Sequence, residues 1–300
     1  MNFQTPFPFP EVLDNTFISA FRDCPQKAYY HGVMRIVPAH ASNTNLIAGG
    51  AFARGLEITR KAFFDDNETF DAAQLKGLRA LIAYYGDHEP SAKAAVKDVW
   101  RTALALVAYF TAFPIDQNLK PVKLKNNKHA IEYSFAVPLD IKNPQTNDPL
   151  LYTGRFDFLG ITDGGMLVVV DEKTSTTLGD QWIVQWQLSN QMSGYVWASQ
   201  SHGIPVENAW IRGLAFLKNG YSTTDYITPR PQWLIKTFKE NLNLTLNRII
   251  ESWRTNKWEK NFGKACASFG GCPYLTLCSH EHPEDWIPIN FKPNDWNPLH

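Results

Sequence analysis

Apolar positions three and four residues apart run through residues 51–64 and 72–85, the period of a helix with one buried face. The segment from Ser91 repeats the pattern, with Ser91 read as its cap and Pro114 as its stop. Residues 11–120 therefore read as mostly helical. The texture changes at Ile131. Ile131, Tyr133, Phe135 and Val137 alternate with polar or small residues, as in a half-buried strand. Leu151 to Ile161 is a second strand candidate, Asp163-Gly164-Gly165 a turn, and Met166 to Val170 an apolar run typical of a buried strand. A helix over about 181–200, a strand over 209–217 and an amphipathic helix over about 232–253 follow. A cysteine-bearing segment and a tail containing Pro and Trp end the sequence. This order predicts one α/β core with a helical cap. The expected divisions are 1–120 for the helical region carrying Cys24, 121–256 for the core and its following helix, and 257–300 for the cysteine segment, all within one compact unit.

Composition narrows the class. The 300 residues are 44% hydrophobic and 19% charged, which suits a globular chain with a full-sized core. Lys and Arg number 29, as do Asp and Glu, so bulk charge does not hold a polyanion; a local basic groove stays open. The densest basic run is Lys120, Lys123, Lys125 and Lys128, read either as phosphate contacts or as a solvated loop. Thr102 to Ile115 is the longest apolar window, and its fourteen residues fall short of the roughly 18 a membrane span needs. Met1 to Pro10 has no basic stretch followed by an apolar run of signal-peptide length. Four cysteines are too few for a disulfide-stapled secreted scaffold. The expected location is cytoplasmic, with no membrane association and thiols that are free or metal-bound.

The strands around Gly164 carry the chemistry. If Asp163 to Gly165 form a three-residue loop, Asp157 and Asp171 face each other across the hairpin. Directly opposed side chains lie about 5 Å apart on one face. Two carboxylates that close repel unless a cation sits between them or one is protonated. Alternation along the strand puts Lys173 on the face of Asp171 and turns Glu172 away. Two carboxylates with a carbonyl suit Mg²⁺ or Mn²⁺ better than zinc. Such an ion can polarise a phosphodiester and acidify a water, with Lys173 orienting that water or offsetting charge. An ordinary Asp–Lys pair at a strand end is the competing reading. The cysteines are divided one and three: Cys24, then Cys266, Cys272 and Cys278 in Cys-x5-Cys-x5-Cys spacing. Four thiolates suit either Zn²⁺ or a four-iron four-sulfur (4Fe-4S) cluster, and spacing alone does not choose. His280 and His282 keep a mixed zinc site in play, and four unrelated buried thiols are a further possibility.

Gly154-x-x-Asp157, a hairpin, and an apolar strand ending in Asp171-x-Lys173-Thr174 resemble the PD-(D/E)XK nucleases in their RecB-like branch. That branch carries Gln-x-x-x-Tyr on a downstream helix, which Gln191 and Tyr195 match, four apart and so on one helical face. The resemblance covers roughly residues 17–280. It implies a restriction-endonuclease-like mixed sheet flanked by helices. It also implies a metal-dependent DNA nuclease, expected to be an exonuclease acting on ends or single strands in phage-type recombination, repair or replication. A helicase or recombination partner would fit such a role. Asp157 and Asp171 would hold the metal, Lys173 assist the water, Gln191 contact phosphate or brace the site, and Tyr195 support it. CRISPR-associated and phage RecB-like exonucleases with an iron–sulfur cluster place one cysteine before the core and three after it. Ser19 to Pro25 resembles their front motif, which implies a 4Fe-4S cluster on Cys24, Cys266, Cys272 and Cys278 that clasps the ends of the domain together.

One position departs from that pattern. The family's Gly-x-x-x-His-x-x-Leu-Glu reads here as Gly49 to Glu57, with Ala53 in place of the metal-binding histidine. An alanine methyl ligates nothing. Glu57 and Glu132 are candidates to reach in, though both read first as structural. The substitution motivates a second functional class, a DNA-binding or assembly subunit that keeps the fold without efficient catalysis. Trp182, Trp186 and Trp197 lie near the proposed site and would be core or, facing a groove, stack unpaired bases.

Overall fold

The computed structural model describes residues 7–39, 43–267, 271–294, 297 and 299. Residues 1–6, part of the segment read above for targeting signals, lie outside them. The chain begins with β1 (Val12–Asp14), α1 (Asn15–Asp23), α2 (Pro25–Ala28), β2 (Ile36–Pro38), α3 (Thr44–Phe64), α4 (Phe70–Tyr85) and α5 (Val99–Ala112). Strands β3 (Leu119–Pro121), β4 (Ile131–Lys142), β5 (Pro149–Thr162) and β6 (Leu167–Ser175) follow. Next come α6 (Asp180–Gln187), α7 (Asn190–Ser201), β7 (Asn208–Leu217), β8 (Gly220–Pro229), α8 (Gln232–Thr255) and, near the end, β9 (Phe291–Pro293).

Seven strands form one mixed sheet in the order β1-β5-β6-β7-β8, with β3 and β4 both pairing β5. Helices flank it, so the α/β, restriction-endonuclease-like architecture expected from the sequence is the one observed. The β5–β6 hairpin has the expected register: Phe158 pairs Val170 and Ile161 pairs Leu167. Thr162 N–H bonds the Met166 carbonyl at 2.9 Å, leaving Asp163 to Gly165 as a three-residue loop. Gly165 takes φ +81° there, a conformation that glycine adopts without steric cost. β6 pairs β7 in parallel, and β7 returns into β8 as an antiparallel hairpin. The three valines at 168–170 are fully buried, as a strand inside such a sheet requires.

Two compact units divide the chain. One comprises residues 42–133 and 155–235. Its main core packs α3, α4 and α5 through Phe52, Leu56, Leu81, Leu106 and Tyr109 and includes Leu214 and Phe216 of β7. A second cluster joins Leu119, Ile131, Phe158, Val168 and Val170 across β3–β6. The other unit comprises the described residues of 1–41, 134–154 and 236–300. There Arg22 Nε donates to Thr245 Oγ1 at 3.2 Å, which ties α1 to α8. A small cluster of Tyr30, Ile36, Tyr274, Leu277 and Phe291 packs against Cys272 and Cys278.

Three local expectations are corrected. Ser91 does not cap one long helix: residues 92–97 form a 3-10 turn, and Asp98 caps α5 by accepting the Arg101 N–H at 2.8 Å. The single helix over 181–200 is broken at Leu188, and Ser189 caps α7 afresh. Buried Arg230 stabilises the break, donating to the carbonyls of Trp186 (2.6 Å) and Gln187 (2.9 Å) in the last turn of α6. Strand β8 went unpredicted because Gly220 to Pro229 is polar on both faces, and its pairing to β7 supplies the order that its pattern lacks. Among the described residues no helix is long and apolar enough to cross a membrane.

Candidate active site

Asp157 and Asp171 are the residues next after the last β5–β6 pair, Phe158 and Val170, so the hairpin brings the two carboxylates together. Asp171 is 1% exposed. Asp157 Oδ2 accepts the backbone N–H of Glu172 at 2.5 Å. Lys173 Nζ lies 2.7 Å from Asp171 Oδ2 and pairs with it as a charge-assisted contact. Burial, then the charges of Asp171, Glu132 and Glu172, push the Asp157 carboxyl well above the usual range. Burial raises Asp171 as well, against the pull of the Lys173 ammonium. Burial disfavours charge on Lys173, yet Asp171 and Asp157 outweigh it and hold its proton more tightly.

Two buried carboxyl groups facing each other, with one ammonium against them, hold more negative charge than that ammonium offsets, and an oxygen-liking divalent ion would satisfy the rest. Among the described residues no group of three or more His, Cys, Asp or Glu side chains is arranged to hold a metal. The protein thus offers two carboxylates, and carbonyls and water would complete the shell. That donor set suits Mg²⁺, which keeps several waters and binds through one or two carboxylates.

Glu172 turns away from this pair, as alternation requires, and is clamped. Arg60 of α3 grips its carboxylate with two guanidinium nitrogens, Nη1 at 2.7 Å, and Tyr109 of α5 donates its hydroxyl to the same group. The Arg60 guanidinium also lies 4.3 Å from the centroid of the Phe158 ring. Burial alone would raise Glu172, but Arg60 and Tyr109 bring it below the usual carboxylate range. Sequence reasoning missed this network. Its one sequence signal is Arg60 itself, a charge on the buried face of α3 one turn after Leu56.

The other two acids stand nearby and are engaged. Glu57 pairs with Arg54 and Lys61, each at 2.6 Å. Glu132 pairs with Arg155 at 2.8 Å and takes φ +48°, the left-handed region that non-glycine residues rarely adopt. Burial, opposed by Arg155 and reinforced by Glu57 and Glu172, pushes Glu132 up to about 7.

On α7, Gln191 Nε2 donates to the Tyr195 hydroxyl at 2.9 Å. The Tyr195 ring packs edge-on against Phe156, centroids 5.1 Å apart, directly before Asp157. The pair is thus joined to the strand that carries Asp157, and among the described residues Gln191 has no bond to Asp171 or Lys173. Trp182 is core: its ring fills the space beside Gly213, where a β-carbon would come within 2.6 Å. Trp186 sits with its ring 5.8 Å from the Lys173 ammonium, and its buried indole N–H has no partner.

In the other unit, Cys24, Cys266, Cys272 and Cys278 line one small cavity with Lys27 and Lys260. Burial pushes the Cys272 and Cys278 thiols up, and proximity to Cys24 and Cys266 adds to the rise. The four converge without closing into a ligand set.

A profile of the PD-(D/E)XK nuclease superfamily matches residues 16–279. The chain belongs to that superfamily. Three solved structures share a loose likeness to it. SSO0001 is 14% identical over 77% of this chain and 84% of its own, with a TM-score of 0.36. A protein of Eubacterium rectale, provisionally assigned as an exonuclease, is 12% identical over 85% and 87%, with a TM-score of 0.42. The alkaline exonuclease LHK-Exo of Laribacter hongkongensis, in complex with dAMP, is 14% identical over 69% and 95%, with a TM-score of 0.25. A comparison with curated proteins returns no match.

The Glu172 clamp has a testable energetic consequence. Arg60→Met strands a buried carboxylate, and thermal or denaturant unfolding at neutral pH should show a loss of about 3–5 kcal/mol. Glu172 has a depressed folded value, so its stabilising contribution is present above the ordinary carboxylate value and fades as pH falls through the folded one. The gap between wild type and Arg60→Met should therefore narrow below about pH 4. An equal gap at pH 3 and pH 7 contradicts the clamp.

Proposed function

We propose that this protein is a metal-dependent deoxyribonuclease of the RecB-like branch, working as an exonuclease on ends or single strands. The observation that carries the reading is the Asp157–Asp171–Lys173 constellation at the end of the β5–β6 hairpin, two buried acids in facing register with one lysine paired to Asp171. A divalent ion, Mg²⁺ or Mn²⁺, held by Asp157 and Asp171 would polarise the scissile phosphodiester and lower the pKa of the attacking water. Lys173 orients that water or offsets the negative charge that grows on the phosphate. The Glu172 N–H fixes the Asp157 carboxylate. Gln191 and Tyr195 brace the strand ahead of it, and Gln191 is available to a substrate phosphate. The setting is phage-type recombination, repair or replication in a cytoplasm, with a helicase or recombination protein as partner.

Ala53 supports a second reading, a DNA-binding or assembly subunit with weak catalysis, because α3 contributes no imidazole to the metal. The convergence of Cys24, Cys266, Cys272 and Cys278 on one cavity supports a 4Fe-4S cluster as the proposed occupant, with Zn²⁺ as the alternative.

Two experiments test these readings. With end-labelled single- and double-stranded DNA and Mn²⁺, Asp171→Ala should lower cleavage by roughly 10²–10⁴-fold, the several kcal/mol that metal activation supplies. Its folding should be unchanged. Undiminished cleavage by pure Asp171→Ala overturns the assignment, and wild-type binding without products favours the second reading. Anaerobically prepared protein should be brown, with equal iron and acid-labile sulfide. Colourless protein with stoichiometric zinc excludes the cluster.

A further inference from the structure

A groove of about 360 Å³ runs from the N-terminal half of α3 to Glu172, Lys173 and Thr174 at the end of β6. Small residues on α3 leave it open. A β-carbon built at Gly49 would sit 3.4 Å from Thr174 Oγ1, and Ala53, where the family pattern carries histidine, projects only a methyl.

Lys97 lines the same groove from the 3-10 turn before α5. It is 3% exposed, yet among the described residues its ammonium has no carboxylate and no hydrogen-bond partner. Its neighbour is the Phe216 ring, 5.4 Å from centroid to Nζ. Burial accordingly lowers its pKa. Burying an ammonium without a counter-charge is costly, whereas an anion entering the groove would satisfy it. The Thr174 hydroxyl and the Asn45 amide stand in the same groove as further donors. Because the groove shares Lys173 with the paired acids, an anion in it belongs to the same substrate as the group at Asp157 and Asp171.

We infer that this groove is a phosphate subsite in which Lys97, Thr174 and Asn45 receive a non-scissile phosphate of the bound nucleic-acid strand, adjacent to the phosphate under attack. The inference rests on the nuclease reading and adds a place for the neighbouring nucleotide. Lys97 is then a substrate-binding residue, and the space left by Ala53 is part of its pocket.

The test uses the full-length protein, Lys97→Met and Lys97→Arg, with oligonucleotides carrying one neutral methylphosphonate linkage at successive positions. Binding is read by fluorescence anisotropy in Ca²⁺, and cleavage separately in Mn²⁺. Neutralising one linkage should weaken wild-type binding about tenfold, the worth of one charge-assisted contact. Lys97→Met should bind unmodified DNA about tenfold more weakly and lose its sensitivity to that one linkage. Its salt dependence should fall by about one phosphate contact. Lys97→Arg should restore most of the affinity. Lys97→Met should melt no lower than wild type, because methionine fills the site without an unpaired charge. Wild-type affinity in Lys97→Met, or an equal linkage penalty in both proteins, overturns the subsite. DNA that is bound by wild type but never cut sinks the catalytic reading and leaves the subsite standing or falling on the binding data.

Discussion

Two carboxyl groups set side by side at the end of a buried hairpin cannot both stay charged without an offsetting cation, and the contacts around them answer to that constraint. Asp157 and Asp171 are placed there by backbone register alone, which a three-residue loop fixes. What keeps them there is Glu172. Its N–H holds the Asp157 carboxylate, while its own side chain is gripped from the other face by Arg60 and Tyr109. The middle residue of Asp171-Glu172-Lys173 thus links the helical layer to the acids. Lys173 offsets part of the negative charge, and a divalent ion held by the two acids would offset the remainder.

The hairpin and the facing of its two acids were legible in the sequence because they depend on short-range facts. Side chains alternate along a strand, Gly165 closes the loop, and Asp157 and Asp171 fall into register as a consequence. The clamp was not legible. Arg60 and Tyr109 lie 112 and 63 residues from Glu172, and nothing local announces either contact. The helix break at Leu188 was hidden for the same reason, since the side chain that binds the last carbonyls of α6 is the distant Arg230. Strand β8 was missed because its order comes from pairing with β7, not from an apolar face of its own. The one-and-three cysteine pattern predicted convergence, and the four residues do share a cavity.

Ala53 looked in the sequence like a loss. In the fold it borders a groove whose unpaired, buried Lys97 is suited to an anion. A helix that gives up a metal ligand can therefore gain a hold on the substrate strand. Neutral net charge is compatible with this arrangement. On the proposed function, positive charge is needed at only a few phosphates, and Lys173, Lys97 and a divalent cation would supply it where the acids would otherwise repel the strand.

The central claim is that Asp157 and Asp171 together make a cation site. Titrating the purified protein with Mn²⁺ and following free ion by electron paramagnetic resonance measures this without any substrate. One Mn²⁺ site is expected in wild type, and it should disappear in the Asp157→Asn/Asp171→Asn double variant while the fold persists. Equal Mn²⁺ binding by wild type and the double variant would contradict it.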